Sequence, residues 1–234
     1  MSEIAINLCY NMRMKTYKHI LFDLDGTLSD PKVGITEGVD YALRSFGIET
    51  KDLNSLKKFI GPPLIYSFET FYGFDEEKAV KARDKYREYY NGMGGVYKNT
   101  MYDGIVELLE TLKKDGKKLY VATSKPTDTA MLVLKHFKID KYFDCVYGAE
   151  LNEMKHEKKD IIEKILNTFK LTKLEEVVMI GDRMHDLIAA SACNIDSIGV
   201  LYGYGDRDEF VKYNATCIVE SVEELKTLLT KRVD

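Results

Sequence analysis

Apolar and polar positions change period several times along the chain, and each change marks a predicted element. His19-Ile20-Leu21-Phe22 is apolar but too brief for a helix, and Gly26-Thr27 breaks it, so it predicts a strand ending in Asp23 and Asp25. Helical spacing follows: Ile35, Val39, Leu43 and Phe46 share one face ahead of Gly47, and Leu53, Leu56 and Ile60 precede a break at Gly61-Pro62-Pro63. Leu64, Phe68 and Phe71 resume a helix, and Asp75-Glu76-Glu77 place negative charge at the start of another carrying Ala79, Ala82, Tyr86 and Tyr89. No strand signal occurs between Pro31 and Lys98, which predicts an all-helical insert leaving by the flexible run Asn91-Gly92-Met93-Gly94-Gly95.

From Met101 the periods alternate. Ile105, Leu108, Leu109 and Leu112 predict a helix ended by Gly116, with Asp103 as its cap. Strands are predicted at Leu119 to Thr123, Phe143 to Tyr147, Val177 to Ile180, Ile198 to Leu201 and Cys217 to Val219. Helices fall between them, at Thr127 to Phe137, around Ile161 to Phe169 and from about Met184 to Cys193. A last helix bears Leu225, Leu228 and Leu229 behind a capping box of Ser221 and Glu224. Regular alternation of this kind predicts an α/β fold: a doubly wound, mostly parallel, Rossmann-like sheet covered on both faces. The boundaries that follow are an extension over residues 1–16, an α/β core over 17–30 and 99–234, and a helical cap over 31–98.

Composition narrows the class. The 234 residues are 45% hydrophobic and 31% charged, ordinary for a globular protein, and no stretch is apolar enough to span a membrane. A formal net charge of −4 gives no support to nucleic-acid backbone binding, so a small-molecule partner is expected, with neither nucleic acid nor membrane. Cys9, Cys145, Cys193 and Cys217 form no close pair, which suggests reduced thiols in a cytoplasmic protein rather than zinc or a disulfide framework. A monomer and a homodimer fit the sequence equally.

Ligands of parallel sheets lie at the carboxyl ends of strands, and acids, hydroxyls and amines collect there. Asp23 and Asp25, two apart, project to one side of their strand end. Three readings fit them: a turn with solvated carboxylates, a calcium loop, or a catalytic pair with Asp23 as nucleophile toward phosphorus and Asp25 as acid and base. The calcium pattern wants Gly and Glu where Leu28 and Gly34 stand. The next strand ends in Thr123-Ser124-Lys125-Pro126 and a later one in Gly181-Asp182-Arg183-Met184-His185-Asp186, while Lys158 opens an intervening helix. Singly these are an N-cap, a turn and a surface lysine; together they supply what phosphoryl transfer needs. A carboxylate approaching phosphate meets a like charge, about 4 kcal/mol per pair at ~4 Å and an effective dielectric of 20. Asp23, Asp182 and the Asp25 backbone carbonyl are candidates to hold Mg2+ against that repulsion. Lys158 would neutralise more charge, and the Thr123 hydroxyl with nearby N–H groups would grip the phosphoryl oxygens, Gly26 and Ser124 lying beside them.

The run Asp23-Leu24-Asp25-Gly26-Thr27, with Thr123, Lys158 and Gly181-Asp182-x-x-x-Asp186 in that order, resembles the four motifs of the haloacid dehalogenase-like hydrolase superfamily. The resemblance covers residues 17–232 and implies an aspartyl-phosphate on Asp23. It also implies Asp25 alternating as acid and base, and Asp186 holding Lys158 or a metal-bound water. Lys155 and Lys159 compete with Lys158 for its place. Asp25 aligns the chain with the phosphatase branch rather than the dehalogenases, and Gly61-Pro62-Pro63-Leu64 and Gly203-Tyr204-Gly205 are similar to loops of phosphoglycolate phosphatase-like and 5′-nucleotidase-like members. The implied activity is Mg2+-dependent hydrolysis of small phosphomonoesters, leaning to phosphoglycolate over nucleoside 5′-monophosphates. The alternatives are a sugar-phosphate phosphomutase and, outside enzymes, a receiver-like phospho-signalling module. His185 is read as a bystander.

Overall fold

The computed structural model describes residues 15–149 and 157–230. The chain divides into two compact units, Met1–Leu28 with Met101–Asp234, and Ser29–Thr100. The first is an α/β unit around a six-stranded, wholly parallel sheet in the order β5-β4-β1-β6-β7-β8. β1 (His19–Phe22) is central, and Ile20, Leu21 and Phe22 have no exposed surface, as its unbroken apolar run requires. Two short strands, β2 (Ser29–Asp30) and β3 (Thr100–Met101), pair with each other where the chain leaves for the insert and where it returns. Neither is marked by a sequence pattern, since two residues carry no period.

The second unit is helical and cap-like: α1 (Lys32–Arg44), a 3-10 segment at Leu53–Phe59, α2 (Leu64–Tyr72), α3 (Glu76–Arg87) and a π turn at Glu88–Gly92. Its punctuation follows the sequence. Gly61 takes φ 103° and Pro63 precedes α2, while Asp75 caps α3 by accepting the Lys78 N–H at 2.8 Å.

Back in the α/β unit, α4 (Ile105–Lys114) buries Ile105, Leu108, Leu109 and Leu112. Asp103 does not cap it; Gly104, at φ 84°, holds the cap position without a side-chain bond. β4 (Lys118–Pro126), α5 (Thr127–His136), β5 (Cys145–Ala149) and α6 (Lys158–Thr168) follow. Then come β6 (Val177–Gly181), α7 (Met184–Ala192), β7 (Asp196–Val200), α8 (Arg207–Lys212), β8 (Cys217–Val219) and α9 (Val222–Thr230). On one sheet face Leu21, Tyr120 and Met179 pack with Ile161, Ile162 and Ile165 of α6 and Ala189 and Ala190 of α7. α8 was not predicted, because Phe210 is its one buried apolar residue; Asp206 caps it through the Glu209 N–H. Ahead of α9 the box is half of what the sequence suggested. Ser221 accepts from the Glu224 N–H at 3.2 Å, but the Glu224 carboxylate turns to the Glu220 N–H.

Residues 1–14, and with them Cys9, lie outside the described residues. Cys145 and Cys193 are free thiols, while Cys217 is disulfide-bonded, which corrects the expectation of a reduced thiol there. Among the described residues no helix is long and apolar enough to cross a membrane.

Candidate active site

Register places the chemistry. Phe22 of β1 stands opposite Val121 of β4 and Ile180 of β6, so β1 and β6 end almost level, with Thr123 two residues further along β4 beside them. The Asp23 N–H bonds Ile180 O at 2.9 Å, which fixes the nucleophile candidate at the last rung. Gly26 then turns the chain at φ 84°, a value that disfavours any residue with a Cβ.

Asp23, Asp25, Asp182, Asp186, Lys125 and Lys158 are all buried here. Oxygens of Asp23, Asp182 and Asp186 lie within 4.8 Å of one another. Lys158 opens α6 and points its ammonium at two of them, Asp23 Oδ2 at 2.9 Å and Asp186 Oδ1. Burial alone would lower Lys158; the two carboxylates outweigh it and keep the lysine charged. Burial also drives Asp182 well above the ordinary carboxylate range, with Asp186 and Asp23 adding like-charge repulsion. Asp186 is pushed up to about 6 by the same desolvation, against the pull of Lys158.

Asp25 stands apart from that trio. Its Oδ2 pairs with Lys125 Nζ at 2.8 Å, and burial raises its carboxyl while Lys125 opposes the rise. Among the described residues, the carboxylates that come together are therefore Asp23, Asp182 and Asp186. Thr123 is buried, and its Oγ1 accepts the Lys125 N–H at 3.2 Å; Ser124 beside it is half-buried. Lys159 pairs with Glu163 on the exposed side of α6, and Lys155 lies outside the described residues.

Three features escaped the sequence. Lys125 stands in the strand end Thr123-Ser124-Lys125-Pro126 with no role that the sequence assigns to it. Asp182 Oδ2 accepts the Tyr204 N–H at 2.8 Å, and a Cβ on Gly26 or Gly203 would lie 2.0 or 2.3 Å from Asp182 atoms, so both glycines are required by contact. Glu209 of the unpredicted α8 accepts from the Met184 N–H and from Arg183 Nε at 3.2 Å, bracing the Asp182–Asp186 loop. Gly203-Tyr204-Gly205 was the available signal for the second; nothing in the sequence marked the third. His185 Nε2 is buried without a hydrogen-bond partner, and burial, Lys158 and Arg183 lower its pKa.

The donor set fits a divalent cation. Four buried carboxylates face two buried ammonium groups, an excess of two negative charges if all are ionised, the charge of one such ion. Asp23 Oδ1 and Asp182 Oδ1 are buried and lack hydrogen-bond partners, a costly state for carboxylate oxygens that a hard cation would relieve.

Comparison with known proteins agrees with this geometry. A family described as haloacid dehalogenase-like hydrolase matches residues 20–200. A 5′-nucleotidase of Pseudomonas aeruginosa is 45% identical over 213 residues, covering 91% of this chain and 96% of that protein. The tyrosine-protein kinase PtkA of Mycobacterium tuberculosis is 34% identical over 214 residues, 90% of this chain and 72% of its own. The crystal structure of a predicted phosphatase from Clostridium acetobutylicum superposes with a TM-score of 0.87 at 46% identity, over 91% of this chain and 97% of that one.

Proposed function

The chain belongs to the haloacid dehalogenase-like hydrolases, and on that premise we propose a Mg2+-dependent phosphatase of small phosphomonoesters that works through an aspartyl-phosphate on Asp23. The observation that carries the reading is the buried excess of carboxylate beyond the adjacent ends of β1 and β6, with one lysine bridging Asp23 and Asp186.

Asp23 and Asp182 would hold the ion, whose role when bound is to cancel charge between carboxylate and phosphate and so permit their approach. The remaining work belongs to the chain. A carboxylate oxygen of Asp23 attacks phosphorus and the ester P–O bond breaks, the leaving oxygen taking its proton from Asp25. Asp25, now ionised, takes a proton from water as that water attacks phosphorus, and the Asp23–phosphorus bond breaks to release phosphate and restore both acids. Lys158 offsets charge on the transferring group while Asp186 keeps its ammonium in place. Thr123 and the N–H groups around it offer donors to the phosphoryl oxygens, with Gly26 and Ser124 lining the same strand ends.

Release of phosphate from 4-nitrophenyl phosphate, measured with magnesium and again with a chelator, tests the reading. Turnover that survives Asp23→Asn overturns it; isomer interconversion without phosphate release supports the phosphomutase, and a phosphoenzyme stable for hours supports the receiver-like module. For the substrate, 45% identity to a 5′-nucleotidase favours nucleoside 5′-monophosphates over the phosphoglycolate to which the sequence leans. A panel of esters ranked by kcat/KM decides between them.

A further inference from the structure

β4 departs from its ladder beside Asp25. It pairs with β5 as far as Thr123 opposite Gly148, and the next matched pair is Pro126 opposite Ala149. Ser124 and Lys125 are therefore extra residues thrown out of register, and bulges of this kind re-aim side chains. The irregularity is braced on both sides. The Lys125 N–H is tied to Thr123 Oγ1, the Gly148 N–H donates to Thr127 Oγ1 at 3.0 Å, and a Cβ on Gly148 would lie only 2.0 Å from Lys125 O.

The bulge directs a long cation inward. Lys125 is 8% exposed, and lysines are buried to that degree only when paired. Its ammonium goes to Asp25 Oδ2, whereas Lys158 goes to Asp23 and Asp186, so the two buried lysines divide the acids between them. Asp25 Oδ1 is left buried and without a hydrogen-bond partner. A carboxylate with both oxygens unrestrained would rotate about its Cβ–Cγ bond, a soft torsion with broad wells. One held by a fixed ammonium presents a single oxygen.

We propose that Lys125 is a positioning residue for proton transfer: delivered by the bulge, it pins Asp25 through Oδ2 so that Oδ1 is the oxygen that exchanges a proton with the ester. This deepens the phosphatase reading and rests on it.

The test compares two esters that differ in their need for a proton: 4-nitrophenyl phosphate, whose leaving group departs readily as an anion, and phenyl phosphate, whose leaving group is more basic. Their kcat/KM values, which read events up to leaving-group departure, are measured with magnesium for the parent chain, Lys125→Met, Lys125→Arg, Asp25→Asn and the Lys125→Met/Asp25→Asn double variant. Both rates come from one sample, so their ratio is independent of the fraction folded. Lys125→Met is expected to lower the phenyl-to-nitrophenyl ratio by roughly tenfold, part of the 10²–10⁴ available to general acid catalysis. Lys125→Arg is expected to restore most of the ratio, and in the Asp25→Asn background Lys125→Met is expected to change it no further. An unshifted ratio, an equal fall for both esters, or a full Lys125→Met shift persisting without the Asp25 carboxyl overturns the proposal. Asp23→Asn, run alongside, separates the two readings: turnover that survives it removes the phosphatase reading itself, whatever the ratio does.

Discussion

In the insert, Phe59, Phe68, Phe71, Tyr72 and Phe74 meet ring to ring at centroid separations from 5.0 to 6.1 Å, while the strand ends of the α/β unit gather four carboxylates and two ammonium groups away from water. The aromatic cluster is a sum of favourable terms, apolar area removed from water plus ring geometry. The acid cluster is the reverse: three carboxylates within 4.8 Å cost folding energy, which Lys158 offsets in part and a ligand of opposite charge would offset further. Of the charged side chains in the insert only Asp40 is buried, and it pairs with Arg44 at 2.7 Å; the others lie nearer the surface, as in the exposed pair of Lys81 with Glu77 at 2.6 Å. One unit spends its interior on stability and the other on chemistry.

That contrast sets the order of expected effects. Asp23→Asn should lower phosphate release by about 10⁴-fold or more, the scale seen when a covalent nucleophile is removed, with thermal melting left near the parent value. Phe68→Ala should do the opposite in kind, costing about 3–5 kcal/mol in denaturant unfolding because a fully buried ring leaves a cavity. Asp182→Asn sharpens the comparison. It removes one of three crowded charges yet keeps an oxygen for the Tyr204 N–H, so with a chelator present it should melt no lower than the parent while losing magnesium-dependent turnover. A clear drop in melting temperature would mean that the acids stabilise the unit after all.

The smallest effect belongs to the insert's surface. Glu37 accepts from Lys98 at 2.7 Å and from Tyr89 OH at 2.6 Å, and these bonds hold its carboxyl below the usual range. A depressed carboxyl contributes stability above its unfolded pKa and loses it as pH falls through the folded value. Glu37→Gln should therefore melt slightly below the parent at pH 7, and the two curves should converge below about pH 4. A gap that stays constant with pH would show that packing, not charge, was lost.

How much of this was legible in the sequence differs residue by residue. Asp23, Asp182 and Asp186 could be placed because each follows or ends a short apolar strand, and parallel sheets bring such ends together. Lys158 was legible only by position, since a lysine at a helix start looks like any surface charge until a fold buries it. Lys125 was invisible for a definite reason: a strict period of two would have carried it along the ladder, and only pairing with Gly148 and Ala149 reveals the extra residues. The Tyr204 N–H and the Glu209 carboxylate act through tertiary contact, from a loop and a short helix with almost no pattern of their own. In the insert the helices and their stops were plain, because proline, glycine and an acidic cap act locally.

The glycines around Asp182 have a consequence for how this enzyme could diversify. A methyl group added at position 26, 181, 203 or 205 would run into Asp182 or Asp186 atoms at 2.0 to 2.3 Å, so four separate points of the chain admit one letter only. Mutation has no incremental route through that ring. New preferences for one ester over another must then be written in the residues that cover the strand ends, leaving the acid cradle itself unchanged through successive variants.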